Sequence, residues 1–151
     1  MRRILLTSPQ NTSALVARIF LAVVVFPHGA QKLLGWFGGN GFESTMTGLT
    51  TNAGLPWIIA FLVIIIEFFA PLFLAFGFLT RIAAFGIGAE FTGVILKAHI
   101  HNGFFMNWYK QPNKAEGLEF FILLFGLVII ILITGGGRAS VDAVISSKKL
   151  Q

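Results

Sequence analysis

Residues 56–81 read PWIIAFLVIIIEFFAPLFLAFGFLTR. Apart from Glu67, positions 56–78 are apolar or small, and the run exceeds the roughly 20 residues needed to cross about 30 Å of hydrocarbon. In lipid, every backbone polar group has to bond within its own segment, so such a run is a helix. The sequence then turns at Gly77-Phe78-Leu79-Thr80-Arg81 and becomes apolar again at once. A link this short joins antiparallel neighbours, which makes the stretch one arm of a tight helical hairpin.

Working outward, further apolar runs at 13–34, 82–100 and 117–134 complete a set of four. The expected fold is all-α: an integral membrane four-helix transmembrane bundle forming a single domain over 1–151, with outer loops at 35–55 and 101–116. Composition agrees. Of 151 residues, 56% are hydrophobic and 11% charged, against about 25% charged in an ordinary soluble domain. The 17 Phe and 17 Gly and a mean hydropathy of +0.83 exceed what one aqueous core of this size can hide, so the excess faces lipid.

With four crossings, Arg2, Arg3, Arg81, Arg138, Lys148 and Lys149 fall on one side, and Lys110 and Lys114 lie within the opposite loops. The positive-inside rule then puts both termini in the cytoplasm of a multi-pass protein of the bacterial inner membrane. Trp36, Trp57, Trp108 and Tyr109 sit at the outer level, where interface anchors belong. A signal peptide over residues 1–30 is the weaker reading, because the PHGAQK that follows the apolar stretch lacks a small-x-small cleavage site. The net charge of +5 comes from basic residues scattered singly or in pairs, which gives no stripe for nucleic acid. With no cysteine in the chain, disulfides, thiolate metal sites and thiol relays within it are excluded.

An ionisable side chain at bilayer depth is a functional-site hypothesis by default. Counted from the hairpin at ~1.5 Å per residue, Glu67 and Glu90 lie roughly 20 and 15 Å deep, both near the midplane on neighbouring helices. Pro71 has no N–H for the Glu67 carbonyl and leaves a freed acceptor beside the carboxyl; Pro27 does the same to Val23, just below His28. At about 100° per residue, Glu90, Lys97 and His101 form one polar stripe on the third span. His28 and Lys32 share a face of the first span at i and i+4, and Glu119 opens the fourth at the outer level.

Together these residues predict a polar funnel, basic at the mouth (His28, Lys32, Lys97, His99, His101) and acidic at the bottom (Glu67, Glu90). It suits an anionic or quinone-like ligand and proton exchange with the outside. The competing reading makes the same groups structural: Glu90 paired with Arg18 or Lys97, and the lysines reaching toward headgroups. A metal site is not expected, because His99 and His101 at i, i+2 on a helix point apart. The run GWFGGNGF at 35–42 lacks the GK[ST] ending of a phosphate loop. It reads as an outer re-entrant or cap loop which, with the aromatic stretch at 104–109, either lids the funnel or rests at headgroup level. The small residues Ala83, Gly86, Gly88, Ala89 and Gly93 allow another helix close to the third span.

The block from His28 to Phe42, HG-x-x-K-x-x-G-W-F-G-G-x-G, followed by Glu67 and then Gly77-x-x-Thr80-Arg81, resembles the DoxX family of small four-helix membrane proteins, over roughly residues 14–134. The resemblance implies an inner-membrane protein associated with redox processes. Relatives include membrane subunits of thiosulfate:quinone oxidoreductases, and others are linked to sulfur metabolism or oxidative-stress defence. Thiol-using members of the wider superfamily carry cysteines that this chain lacks, so electron transfer here would need a bound quinone or a redox partner protein, soluble or membrane-bound. The expected activity is a redox-associated subunit with no covalent cofactor. His28, Lys32, Lys97, His101 and Trp36 would bind a quinone or quinol, and Glu67 and Glu90 would exchange its protons. Two other classes stand beside it: a non-catalytic scaffold or homo-oligomer that recruits redox enzymes, and a transporter of a small solute or protons.

Overall fold

The computed structural model describes residues 7–148. Arg2, Arg3 and Lys149, and the side chain of Lys148, lie outside the described residues, so four of the six topology signals are not seen. The described residues form six α-helices and no strand: α1 (Thr12–Leu34), α2 (Gly41–Thr47), α3 (Trp57–Phe76), α4 (Thr80–Val94), α5 (Glu119–Thr134) and α6 (Val141–Lys148).

Helix α1 starts at Asn11, whose side chain accepts the Ala14 N–H, and stops at Gly35 in the left-handed conformation. Its buried positions Ala14, Ala17, Arg18, Leu21, Ala22, Val25 and Gly29 advance by three and four, the period of a one-sided helix. On α3 the matching stripe is Ala60, Ile64, Glu67, Ala70, Pro71 and Leu74. Pro27 and Pro71 both lie inside continuous helices. Helix α1 packs most extensively on α3, α3 on α4, α4 on α5, and α5 back on α1. The four enclose an apolar core that includes Leu21, Val25, Leu74, Ala84, Ile87, Phe91, Leu124, Val128 and Ile131.

Three segments have the length and apolarity of membrane spans: Thr12–Leu34, Trp57–Phe76 and Thr80–His99. Helix α5 is equally apolar but, at 16 residues, rises only about 24 Å at 1.5 Å per residue. The third of these runs is not one regular helix. From Ile95 to His99 it winds as a π-helix, with more residues per turn than the α-form. The 100° count therefore fails beyond Val94, and His101 leaves the helix for an exposed turn instead of continuing the Glu90–Lys97 stripe. The 35–55 segment is more ordered than a plain loop. It runs through a single 3₁₀ turn (Trp36–Gly38), α2, and a second π-turn (Gly48–Asn52).

Both described termini lie at one end of the helices, and this terminal end is tied by a polar knot. Arg18, 1% exposed, donates to the carbonyls of Leu74 and Ala75 at 2.8 Å and to those of Arg138 and Ala139. Gly77 makes room for it: its φ of +65° ends α3 in the left-handed region, and a Cβ there would press on Ser140 and on the guanidinium. Asp142, on α6, accepts from the Leu79 and Thr80 N–H groups at 2.9 Å and from the Thr80 hydroxyl at 2.5 Å. It thus caps the start of α4 from a different helix, meeting N–H groups that would otherwise be orphaned. Ser140 in turn accepts the Ala143 N–H at 3.1 Å and opens α6.

Candidate functional site

At the level where α1 crosses α3, the closest approach is between backbones. A Cβ on Gly29 would collide with the Glu67 carbonyl and the Phe68 nitrogen. The carbonyl that Pro71 cannot serve is therefore covered by Gly29, with no room for any side chain between the helices. Gly29→Ala is expected to cost about 2 kcal/mol by overpacking against backbone that cannot yield. Gly126→Ala, where nothing lies within 4 Å, serves as the control and should be neutral or slightly stabilising. Thermal unfolding of both variants in detergent checks the difference.

This close crossing brings Lys32 of α1 onto Glu67 of α3 as an ion pair, with the lysine side chain 28% exposed and the glutamate 4%. Beside them, on α4, the Glu90 carboxyl faces that of Glu67 and lies within electrostatic reach of Lys32. Both Glu90 oxygens are sealed from solvent, and the neighbouring Glu67 carboxyl is the one described group within hydrogen-bonding reach of them. Two carboxyls thus share a single ammonium in an apolar interior, where an unpaired charge is costly.

Two cavities flank this cluster. On one side a polar vestibule of about 400 Å³ is lined by Gln31, Lys32, Gly39, Asn40, Ser44 and Leu49, among others. On the other an apolar cleft of about 310 Å³ opens between α3 and α4, walled by Leu49, Leu55, Ile59, Val63 and Gly93, with Glu90 and Lys97 as its polar groups. Leu49, on the π-turn, belongs to both walls. Lys32 faces the vestibule and Glu90 the cleft, with Glu67 between them.

The predicted funnel therefore contracts. Lys32, Glu67 and Glu90 converge, and Lys97 reaches the same cleft, though exposed. His28 is exposed on α1 and lines neither cavity. Its position explains this: Lys32 is about 60° around the helix from Gly29, the residue that meets α3, whereas His28 is about 100° off. His101 is exposed, and Trp36, 54% exposed, rests on Phe37 in an edge contact; neither lines these cavities. Phe104, Phe105, Trp108 and Tyr109 are likewise exposed and line neither cavity. Arg18 is spent at the terminal end and does not pair with Glu90. Glu119 organises the second loop, accepting from the Met106 N–H and the Trp108 indole at 3.2 Å. His99 meets the Glu116 carbonyl at 2.9 Å and packs on Phe121.

Leu49 and Asp142 were not among the residues singled out from sequence. Nothing in the chain marks Leu49, since a lone leucine in a Gly/Thr-rich segment has no periodic partner. Asp142 has a local signal: Ser140-Val-Asp is the opening of a capped helix.

Such a site, buried acids and an ammonium set between a polar mouth and an apolar cleft, defines a multi-pass membrane protein with an ionisable centre. Compared with known proteins, the chain matches the DoxX family model over residues 13–100. It is also 30% identical over 144 residues to the inner membrane protein YqjF of Escherichia coli (strain K12), covering 92% of this chain and 96% of that protein. The chain belongs to the DoxX family and is a multi-pass protein of the bacterial inner membrane. No solved structure matches it.

Proposed function

We propose that α1, α3, α4 and α5 are four membrane spans with cytoplasmic termini, and that the protein is a redox-associated subunit that holds a quinone or quinol in the cleft between α3 and α4. The observation that carries this reading is Glu90, whose carboxyl has only Glu67 within hydrogen-bonding reach among the described residues and which, with Lys97, lines an otherwise apolar cleft of about 310 Å³. A site that is mostly apolar with a few convergent polar groups is the usual form of a small-molecule pocket. A quinol hydroxyl would add a second partner for Glu90 beside Glu67, and Lys97 would meet a quinone oxygen at the mouth.

A quinone takes up protons together with electrons on reduction, so its site needs a group that can hold and pass one. Glu90, backed by Glu67 and Lys32, fits that requirement. Titration of the purified protein in detergent with a short-chain ubiquinone or menaquinone analogue should give saturable binding, weakened about tenfold by Glu90→Gln, the loss of one good hydrogen bond. Absence of saturable binding, or binding indifferent to Glu90→Gln and Glu67→Gln, overturns it.

The small-residue face behind the scaffold reading is partly covered within the chain. A Cβ added at Gly86 would meet the Ile66 side chain at 3.5 Å and one at Gly88 the Val128 side chain at 3.1 Å, whereas nothing lies within 4 Å of one at Gly93.

A further inference from the structure

We propose that Glu90 exchanges its proton with one side of the membrane only, the side of the polar vestibule, through Glu67 and Lys32, with Leu49 as the wall that stops water from bypassing them. The proposal takes the helices as membrane-spanning, as above, but does not depend on a quinone.

The route is read from the order of the groups. Lys32 lines the vestibule and pairs with Glu67; Glu67 faces Glu90; Glu90 lines the cleft. Each step passes between adjacent polar groups. Toward the terminal end no described polar group continues it. Below Glu67 and Glu90 come Leu21, Ala22, Val25, Ala70, Leu74, Ala83, Ala84 and Ile87, all buried and apolar. A proton entering such a layer is a charge without partners. Beyond it lies the knot, whose Arg18 is held by four carbonyls and whose Asp142 is held by the start of α4.

The charged groups around Glu90 are few. Glu67 comes from α3, Lys32 from α1, and Lys97 from the extension of its own helix. Helix α5 presents Phe121, Leu124 and Val128 to the core, and the wall formed by Leu49, Ala53 and Leu55 is apolar. Among the described residues Leu49 alone lines both vestibule and cleft, so it forms the partition between them.

The test uses the full chain in membrane vesicles whose orientation is read from tryptic cleavage after Lys110 and Lys114, which lie in the loop at the vestibule end. Dicyclohexylcarbodiimide enters from the lipid and reacts with a protonated carboxyl. The acid O–H adds across a C=N bond to give an O-acylisourea, which rearranges to a stable N-acylurea with nothing leaving. Mass spectrometry of the Glu90 peptide, with Glu90→Gln as the blank, gives its protonated fraction. With the vestibule facing out, Glu90 labelling should change severalfold with external pH at fixed internal pH and should ignore internal pH. Inverted vesicles should reverse this dependence. Glu67→Leu should slow the response to a pH jump at least severalfold, and adding Leu49→Ala should restore it by letting water through the wall. Labelling that follows the terminal side, labelling that follows both sides equally, no Glu90 labelling at any pH, or a response unchanged by Glu67→Leu each overturns the proposal. Loss of quinone binding with one-sided labelling intact would remove the quinone reading alone; the converse would remove this one alone.

Discussion

Arg18→Ala is expected to lower the stability of the detergent-solubilised protein by about 4 kcal/mol, one of the two largest single-site effects anticipated in the chain. The side chain is buried and donates to four carbonyls on two segments, Leu74 and Ala75 at the end of α3 and Arg138 and Ala139 before α6. Truncation removes the donor from four acceptors, the Leu74 carbonyl in a buried contact and the other three in partly buried ones, at about 1–3 kcal/mol for each group not otherwise satisfied. It also removes a cation from the C-terminus of α3, where the helix dipole favours positive charge, and from the neighbourhood of Asp142. Arg18→Lys should recover less than half of the loss, because an ammonium cannot span two segments as the planar guanidinium does. Denaturant or thermal unfolding of the three proteins in one detergent decides it. A loss under about 1 kcal/mol for Arg18→Ala would mean that the knot does not hold the terminal end together.

How much of this was legible in the sequence follows from what kind of order each feature uses. Long apolar runs are written in consecutive residues, so helices α1, α3, α4 and α5 fall within two residues of the expected starts and ends, apart from the π-turn that takes over after Val94. Glu67 and Glu90 were conspicuous because lipid-facing helices seldom carry acids, and their neighbouring positions follow from the short hairpin. The role of Arg18 was not legible. Its depth placed it near a membrane face, but its partners are backbone carbonyls exposed by the end of another helix, and backbone acceptors leave no trace in side-chain patterns. The short helices α2 and α6 were missed for a related reason: at seven and eight residues they offer too little periodicity to stand out from loops.

The site shows the same division. Lys32 was placed with His28 because i and i+4 share a face, yet the contact line of α1 on α3 runs through Gly29, and only a long side chain 60° away can reach across it. His28 is shorter and farther round. The π-turn explains His101 in the same terms, since one wider turn rotates everything after it away from an extrapolated stripe. What the sequence did not contain was the relation between Leu49 and the two cavities, which exists only once a loop segment folds back over the helices.

Lys32→Met should destabilise the protein by about 2–3 kcal/mol, because it leaves Glu67 as a buried carboxylate facing a second carboxyl with no cation beside them. Fully buried pairs lose about 3–5 kcal/mol when one partner is removed; the 28% exposure of Lys32 reduces the figure. Glu67→Leu alone should cost less, about 1 kcal/mol, since the freed ammonium can swing into the polar vestibule that its stem already lines. The double variant Lys32→Met/Glu67→Leu should return to within about 1 kcal/mol of the parent or exceed it, as apolar replacements of buried ion pairs commonly do. The coupling between the two sites is the difference between the double variant and the sum of the singles, and unfolding of all four proteins in one detergent measures it. A coupling near zero would show that the pair does not form. A strong coupling together with a stable double variant would show that the bundle does not need Lys32 and Glu67 to stand, the result expected if the pair serves the proton route proposed for Glu90.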